Sequence, residues 1–388
     1  MKLLFVNFCL FSIFSLNAQS INSNQLDSLL IQAKKTNSEA VIIYQNGKLI
    51  SENYFGPGHR NKKIEAMSVT KSIVGLAVAK MLTDGLIDSL DIPVWHYFPE
   101  WKQGKKKDIT IRHLVHMTSG LQNNPNAGAE IYPSPNFVQL ALAAELVNNP
   151  GEVWSYNNKS LNLMAGIIEK ISGKRMDYYI GERLFSPLGI EDYSWTLDDA
   201  GNPHVMAGCQ IKARDLAKLG VLVQENGRYK ETIVIKKEHL DEVFQPTAQY
   251  PGYGMLWWID HEEHIFIVDD ESINDLQNAG IEEDFIEKVR MMKGVYSSTD
   301  HYVSKLTEIF GENYHEEFNR LLPAPLRISK RQFKGDKIYR ADGYLGNYII
   351  VDPKTGIVAV RMTSYDSYKE QKDDFREFKT MVEKLTNN

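Results

Sequence analysis

Ser68 and Lys71 stand three residues apart at the head of a segment whose apolar residues recur with a helical period. On a helix this spacing puts both side chains on one face, within reach of each other. A serine hydroxyl is a poor nucleophile until a neighbour removes its proton. Lys71 is followed by Ile73, Val74, Ala77 and Val78. Burial among them would lower its pKa from about 10.4 toward neutrality and turn the amine into a base. Unpaired N–H groups at the helix start also favour negative charge beside Ser68. A Ser-x-x-Lys match alone arises by chance in many chains, and a solvent-facing pair is the ordinary reading. The apolar setting of Lys71 tilts the balance, because a buried, unpartnered ammonium is costly.

Two further groups supply what such a pair needs. Tyr156 and Asn158 follow Pro150-Gly151 and precede a helical stretch. Tyr156 can pass a proton to and from Ser68 if Lys71 stabilises its phenolate, and the Asn158 amide can hold Lys71 and a substrate carbonyl. Gly343 and Tyr344 sit just before the strand Asn347 to Val351. Glycine there permits close approach to the backbone, and the Tyr344 N–H can join that of Ser68 as an oxyanion donor. Taken singly, each has a bland alternative: a loop hydrogen bond for Tyr156 and Asn158, a bulge for Gly343.

The elements that must position these residues can be read in order. A helix is expected over Gln25 to Lys34, then strands Ala40–Tyr44 and Lys48–Ile50 joined by Gln45-Asn46-Gly47, a strong hairpin signal. The helix from Ser68 stops at Asp84-Gly85. Further helices are expected from Thr110 to Met117, with Thr110 as cap, and over Phe137–Leu146, Lys159–Ile171, Tyr178–Leu184 and Ala213–Gln224. Near the end, Tyr348–Val351 and Ile357–Met362 form a second hairpin, and Asp373 to Leu385 reads as a closing helix. Strands at both ends and helices between them predict an α+β fold. Its antiparallel sheet is built from both termini and flanked by helices, with a mainly helical second lobe at about 85–245.

Met1-Lys2 followed by an apolar run to Leu16 and by Ala18 reads as a signal peptide over residues 1–18, ahead of one domain at 19–388. The run is short for a membrane span, so no stable membrane insertion is expected. The expected location is periplasmic or extracellular. Cys9 lies in the signal, which leaves Cys209 without a partner for a disulfide. The net charge of −6 and the lack of a basic stripe beyond Lys105-Lys106-Lys107 argue against a nucleic-acid partner. His113/His116 and His261/His264 lack a third ligand at motif spacing, so no metal is expected, and no cofactor.

With these residues in place, the chain resembles the serine beta-lactamase and penicillin-binding-protein superfamily. The branch it is similar to holds class C beta-lactamases, D-aminopeptidases, related esterases and 6-aminohexanoate-dimer hydrolase. The resemblance runs from about Val41 to Met362. It is carried by Met67-Ser68-Val69-Thr70-Lys71-Ser72-Ile73, by Asp84-Gly85-Leu86-Ile87, by Ile109 to Leu121, by Pro150-Gly151 through Tyr156-Asn157-Asn158, and by Ala213 to Gly220. It implies a beta-lactamase/transpeptidase-like fold, acylation of Ser68 and hydrolysis of the acyl-enzyme by water near Tyr156 and Lys71. It makes His116 a packing and hydrogen-bonding residue.

Two departures bear on substrate. The third motif of the family usually begins with Lys or His, then Ser or Thr, then Gly; here the positions are Ala341, Asp342 and Gly343. The missing cation removes a partner for a beta-lactam carboxylate, and Asp342 either meets an amine, repels anions or faces solvent. More than 80 residues separate Trp258 from Ala341, with acidic runs at Asp269-Asp270-Glu271 and Glu282-Glu283-Asp284 and helical periodicity at Ile281–Met291 and Val303–Phe310. This insertion, about 260–338, is expected to be an ordered cover or interaction surface. Trp257 and Trp258 either line the cleft or pack in the core. The expected function is a serine hydrolase that cleaves an ester, amide or short peptide, with a small-molecule or short-peptide substrate. The alternative is a penicillin-binding-like protein or weak beta-lactamase/D-peptidase acting on cell-wall peptides, or a binding protein on the same fold.

Overall fold

Asn46 and Gly47 both take positive φ, 48° and 71°, and close the hairpin between β1 (Ala40–Gln45) and β2 (Lys48–Tyr54). This is the geometry that the Asn-Gly pair predicts. The computed structural model describes residues 20–322 and 326–386; the expected signal peptide lies outside the described residues. Three strands, β3 (Lys63–Glu65), β4 (Ser194–Trp195) and β5 (Cys209–Lys212), form a small sheet, and β6 (Arg228–Tyr229) pairs with β7 (Thr232–Ile233). The main sheet adds β8 (Trp258–Val268), β9 (Gly294–Tyr296), β10 (Lys330–Gly343), β11 (Asn347–Asp352) and β12 (Ile357–Met362). Its order is β2-β1-β12-β11-β10-β8-β9, every pair antiparallel. The two termini meet where Ala40 pairs with Met362 and Gln45 with Ile357.

The helix Val69–Thr83 has almost no polar face: every residue from Val69 to Met81 is buried. A helix that is apolar all round belongs inside a protein, and this one packs between the sheet and the helical lobe. The opposite face of the sheet is covered by the first helix, Ser23–Lys35, and by the C-terminal segment, through Leu29, Ile43, Ile350, Phe375 and Phe378. That C-terminal segment is not one helix from Asp373 to Leu385. Phe375 adopts φ 46°, and the chain divides into short 3-10 turns at Gln371–Asp374 and Lys384–Thr386 around a helix at Phe378–Glu383. A left-handed residue cannot continue a right-handed helix.

The region from 258 to 343 departs from a purely helical insertion. β8 and β10 run beside each other as a long ribbon, from Arg340↔Trp258 to Lys330↔Ile267, with a bulge between Lys334 and Lys337. Between them lie the helices Asp270–Asn278, Glu283–Met291, Thr299–Phe310 and Tyr314–Leu321. They enclose a separate core of Phe266, Leu276, Phe285, Val289 and Leu306. The insertion is therefore an ordered extension of the main sheet with its own apolar centre.

Candidate active site

Ser68 is the residue before the first turn of the helix Val69–Thr83, with φ −67° and ψ −9°, and its side chain makes no capping hydrogen bond. The hydroxyl is thus left for Lys71. Met67 ahead of it takes φ 52°, a conformation that costs a non-glycine residue about 1–3 kcal/mol and recurs at functional sites. The helix brings the amine round as the spacing requires: Lys71 Nζ donates to Ser68 Oγ at 2.8 Å. Its other acceptor is the carbonyl of Met206 at 2.6 Å. The segment that carries it is tied down on either side, Val205 N–H donating to Asn162 Oδ1 at 3.2 Å and Gly208 N–H to Glu65 Oε1 at 3.1 Å.

Lys71 is only 2% exposed and no carboxylate is paired with it. Burial alone lowers its pKa from 10.5 to about 7, so near neutral pH a large share of the molecules carry a free amine. Tyr156 lies on the other side: Lys71 Nζ is 5.0 Å from the centroid of its ring. Burial raises the Tyr156 phenol to about 12, against the downward pull of a hydrogen bond with Ser68. A phenolate stabilised by Lys71 is therefore disfavoured. Of the two groups, the amine is the one that loses its proton more readily near neutral pH.

The loop that carries Tyr156 is fixed from the segment 110–121. Thr110 and His113 form a capping box at the start of the helix Ile111–Val115. Ser155 N–H donates to Met117 O at 2.9 Å, and Asn157 Nδ2 donates to Leu121 O at 2.8 Å. Asn157 Oδ1 accepts from Ser160 N–H at 2.9 Å and so caps the helix that starts at Asn158. Asn158 itself does not hold Lys71: its Oδ1 is buried without a partner, and Met206 O takes that place. His116 is buried and bonds to Thr247 Oγ1 through Nδ1 at 2.8 Å, a packing role.

The end of β10 forms the facing wall. A Cβ on Gly343 would lie 2.7 Å from Ala66 O and 3.2 Å from Met67 Cβ, so this strand presses on the segment that leads into Ser68. Tyr344 begins the turn Tyr344–Gly346 and is 58% exposed. Ala341 is fully buried in the core, whereas Arg340 and Asp342 face away from it. Arg340 Nε donates to Asp260 Oδ2 at 2.7 Å, and its Nη1 bonds to Asp342. Burial pushes the Asp342 carboxyl up and Asp260 adds to this, while Arg340 pulls it back. A cleft of about 470 Å³ runs past Arg340, Asp342, Gly343 and Tyr344.

Trp258 stacks on Tyr156 with ring centroids 6.2 Å apart, and Arg340 lies 5.4 Å from its ring centroid. Trp257 is fully buried, with Nε1 donating to Ser72 O at 3.1 Å. One tryptophan thus borders the site and the other belongs to the core. Among the described residues no His, Cys, Asp and Glu cluster is arranged to hold a metal, and no helix is long and apolar enough to cross a membrane.

The beta-lactamase family model matches residues 26–379. A provisionally named 6-aminohexanoate-dimer hydrolase from Bacillus anthracis superposes with a TM-score of 0.64 at 18% identity, covering 93% of this chain and 81% of that one. A provisionally named beta-lactamase from Bacteroides dorei gives a TM-score of 0.63 at 16% identity, covering 95% and 100%. Protein flp of Staphylococcus aureus is 23% identical over 209 residues, 49% of this chain; the match spans 42% of that relative's length. The chain belongs to the beta-lactamase family, in the superfamily of beta-lactamases, penicillin-binding proteins and related serine hydrolases.

Proposed function

We propose that this protein is a serine hydrolase that cleaves an ester, amide or short peptide through an acyl-enzyme on Ser68. The observation that carries this reading is the 2.8 Å bond between Ser68 Oγ and the amine of Lys71, buried and without a counter-ion. Family and fold fit serine-hydrolase chemistry in general.

In acylation, neutral Lys71 takes the hydroxyl proton as Ser68 Oγ bonds to the carbonyl carbon. The backbone N–H groups of Ser68 and Tyr344 receive the negative charge that forms on the carbonyl oxygen. The bond to the leaving group then breaks, and Tyr156 passes the proton from Lys71 to the departing oxygen or nitrogen. In deacylation a water gives its proton to the same pair and adds to the acyl carbon. The bond to Ser68 Oγ breaks, the proton returns to Oγ, and the acid is released. Asn158, with its carbonyl oxygen unpartnered, is the amide nearest in sequence to accept an N–H from the substrate.

Asp342 sets the charge preference in this proposal. Arg340 is shared by Asp260 and Asp342, so the carboxylate beside Gly343 has only part of one cation to balance it. A substrate carboxylate is disfavoured there, and neutral or amine-bearing acyl compounds are preferred over beta-lactams. Export by a signal peptide over residues 1–18 belongs to the same proposal. Hydrolysis of p-nitrophenyl acetate and butyrate alongside nitrocefin tests it: rapid ester turnover that Ser68→Ala abolishes supports the reading, and stable penicillin labelling without turnover contradicts it.

A further inference from the structure

Arg361, the last residue but one of β12, is fully buried, yet none of its hydrogen bonds goes to a carboxylate. Burying a guanidinium without an ion pair is expensive, and an apolar residue in a central strand would ordinarily be more stable. All its donor atoms are nevertheless engaged. Nη1 donates to Leu345 O at 2.8 Å and to Gly346 O at 2.6 Å. Nη2 donates to Thr36 O at 2.8 Å and to Asp373 O at 2.6 Å, and Nε donates to Ser38 Oγ at 2.7 Å. One side chain thus ties three separate segments together, and two of its five bonds go to the turn that Tyr344 opens.

That turn is strained and tightly seated. Leu345 and Gly346 take consecutive positive φ values of 69° and 73°, and the first is unfavourable for leucine. A Cβ on Gly346 would fall 2.3 Å from Arg361 Nη1 and 2.1 Å from Asp374 O, so the backbone rests directly on the guanidinium. From the other side, Asn347 Nδ2 donates to Glu65 O at 3.1 Å, while Asn347 Oδ1 accepts from Thr363 N–H at 2.7 Å. The turn is therefore clamped between the segment that leads to Ser68 and the strand that carries Arg361.

We infer that Arg361 is a positioning residue for the oxyanion site: it holds the strained turn 344–346 so that the Tyr344 N–H points at the reacting carbonyl. The inference rests on the proposed acyl chemistry at Ser68. It explains why a guanidinium with no hydrogen-bonded carboxylate, favoured only at a distance by Asp373 and Asp374, occupies a position in β12 that the neighbouring Val358, Ala359, Val360 and Met362 fill with apolar groups. A released turn is free to relax Leu345, and the N–H then leaves its direction. Misdirecting one oxyanion donor costs about 10²–10³ in kcat when the donor is lost outright.

The test uses the full chain with Arg361→Met and with Arg361→Lys, which keeps the charge but cannot span five acceptors. Active enzyme is counted by fluorophosphonate labelling carried to completion, so partial unfolding does not enter the rates. The expected result is a 10- to 100-fold fall in kcat per labelled Ser68 on p-nitrophenyl acetate, KM within about twofold, and Arg361→Lys intermediate. A boronic acid that places a charged oxygen in the site should lose affinity by the same factor as kcat. Unchanged kcat per labelled enzyme in either variant, with only the melting temperature lowered, overturns the inference. Should Arg361→Met fail to fold, Arg361→Lys alone decides. Failure of the underlying reading looks different: Ser68→Ala would then take up the probe as well as the native protein does.

Discussion

Replacing Lys71 with methionine removes the amine while keeping most of the volume of the side chain, and it should separate activity from stability. The folded-state pKa of about 7 lies below the unfolded value of 10.5. Between these values the unfolded chain binds the extra proton, so the stability of the native protein rises with pH at about 1.4 kcal/mol per pH unit. Below about pH 7 both states are charged and the full cost of burying the ammonium is present. Integrated from pH 7.5 to 9.5, this one group contributes about 2–3 kcal/mol. The variant also leaves Met206 O without its donor, an offset of about 1–3 kcal/mol that does not vary with pH. The decisive quantity is therefore the slope. Urea unfolding of both proteins at several pH values should show native minus variant stability climbing by about 2–3 kcal/mol over that interval. Groups away from Lys71 are the same in both proteins and cancel in the difference. A flat difference means that Lys71 keeps an ordinary ammonium in the folded protein, and its role as base would then have no foundation.

Activity should carry the same signature: kcat/KM for a neutral ester falls as pH drops through about 7, where Lys71 becomes protonated, and a pH–rate profile without that limb contradicts the assignment. Gly343→Ala should cut kcat/KM by at least tenfold, because the new Cβ meets Ala66 O at 2.7 Å and must push β10 away from Ser68; near-native rates would mean that this contact does not shape the site. Asp342→Asn should raise kcat/KM for nitrocefin severalfold while changing p-nitrophenyl acetate by less than about twofold, since it removes the carboxylate that stands beside Gly343. Equal effects on the two substrates would refute a charge-based preference.

Much of the scaffold was legible because local chemistry and tertiary packing agree. Asn46-Gly47 can close a hairpin only with both φ values positive, and it does. The apolar run from Val69 to Met81 suits a helix buried all round, and the hairpin of β11 and β12 follows from two β-branched runs around Asp352-Pro353-Lys354-Thr355-Gly356. The ribbon of β8 and β10 was not legible. Asp260 to His264 and Lys334 to Lys337 are polar on successive residues, since around Glu262, Glu263 and Lys334–Lys337 the ribbon is exposed on both faces, so no alternation of apolar and polar residues marks it. The long closing helix failed for a different reason: its periodicity is real, but Phe375 turns left-handed to reach the core beneath the sheet.

At the site, the Ser68 and Lys71 pair could be read because its geometry is local to one helical turn. The partners contributed from a distance could not. Met206 acts through a backbone carbonyl, which leaves no trace in residue type. Asn157, to which the sequence assigns no role, is the buried cap between Tyr156 and Asn158. Arg361 has the composition of a surface position, and only the clustering of five acceptors around it gives it a role. Where the sequence suggested the Asn158 amide as a partner for Lys71, the structure has the Met206 carbonyl.

The central claim is that Ser68 is the group that forms the covalent bond. Mass spectrometry of the protein after reaction with a fluorophosphonate tests it most directly. One adduct per chain, mapped to the peptide containing Ser68 and absent from a folded Ser68→Ala variant, is the result this account predicts. An adduct of equal stoichiometry on the variant, or on another residue of the native protein, would contradict it.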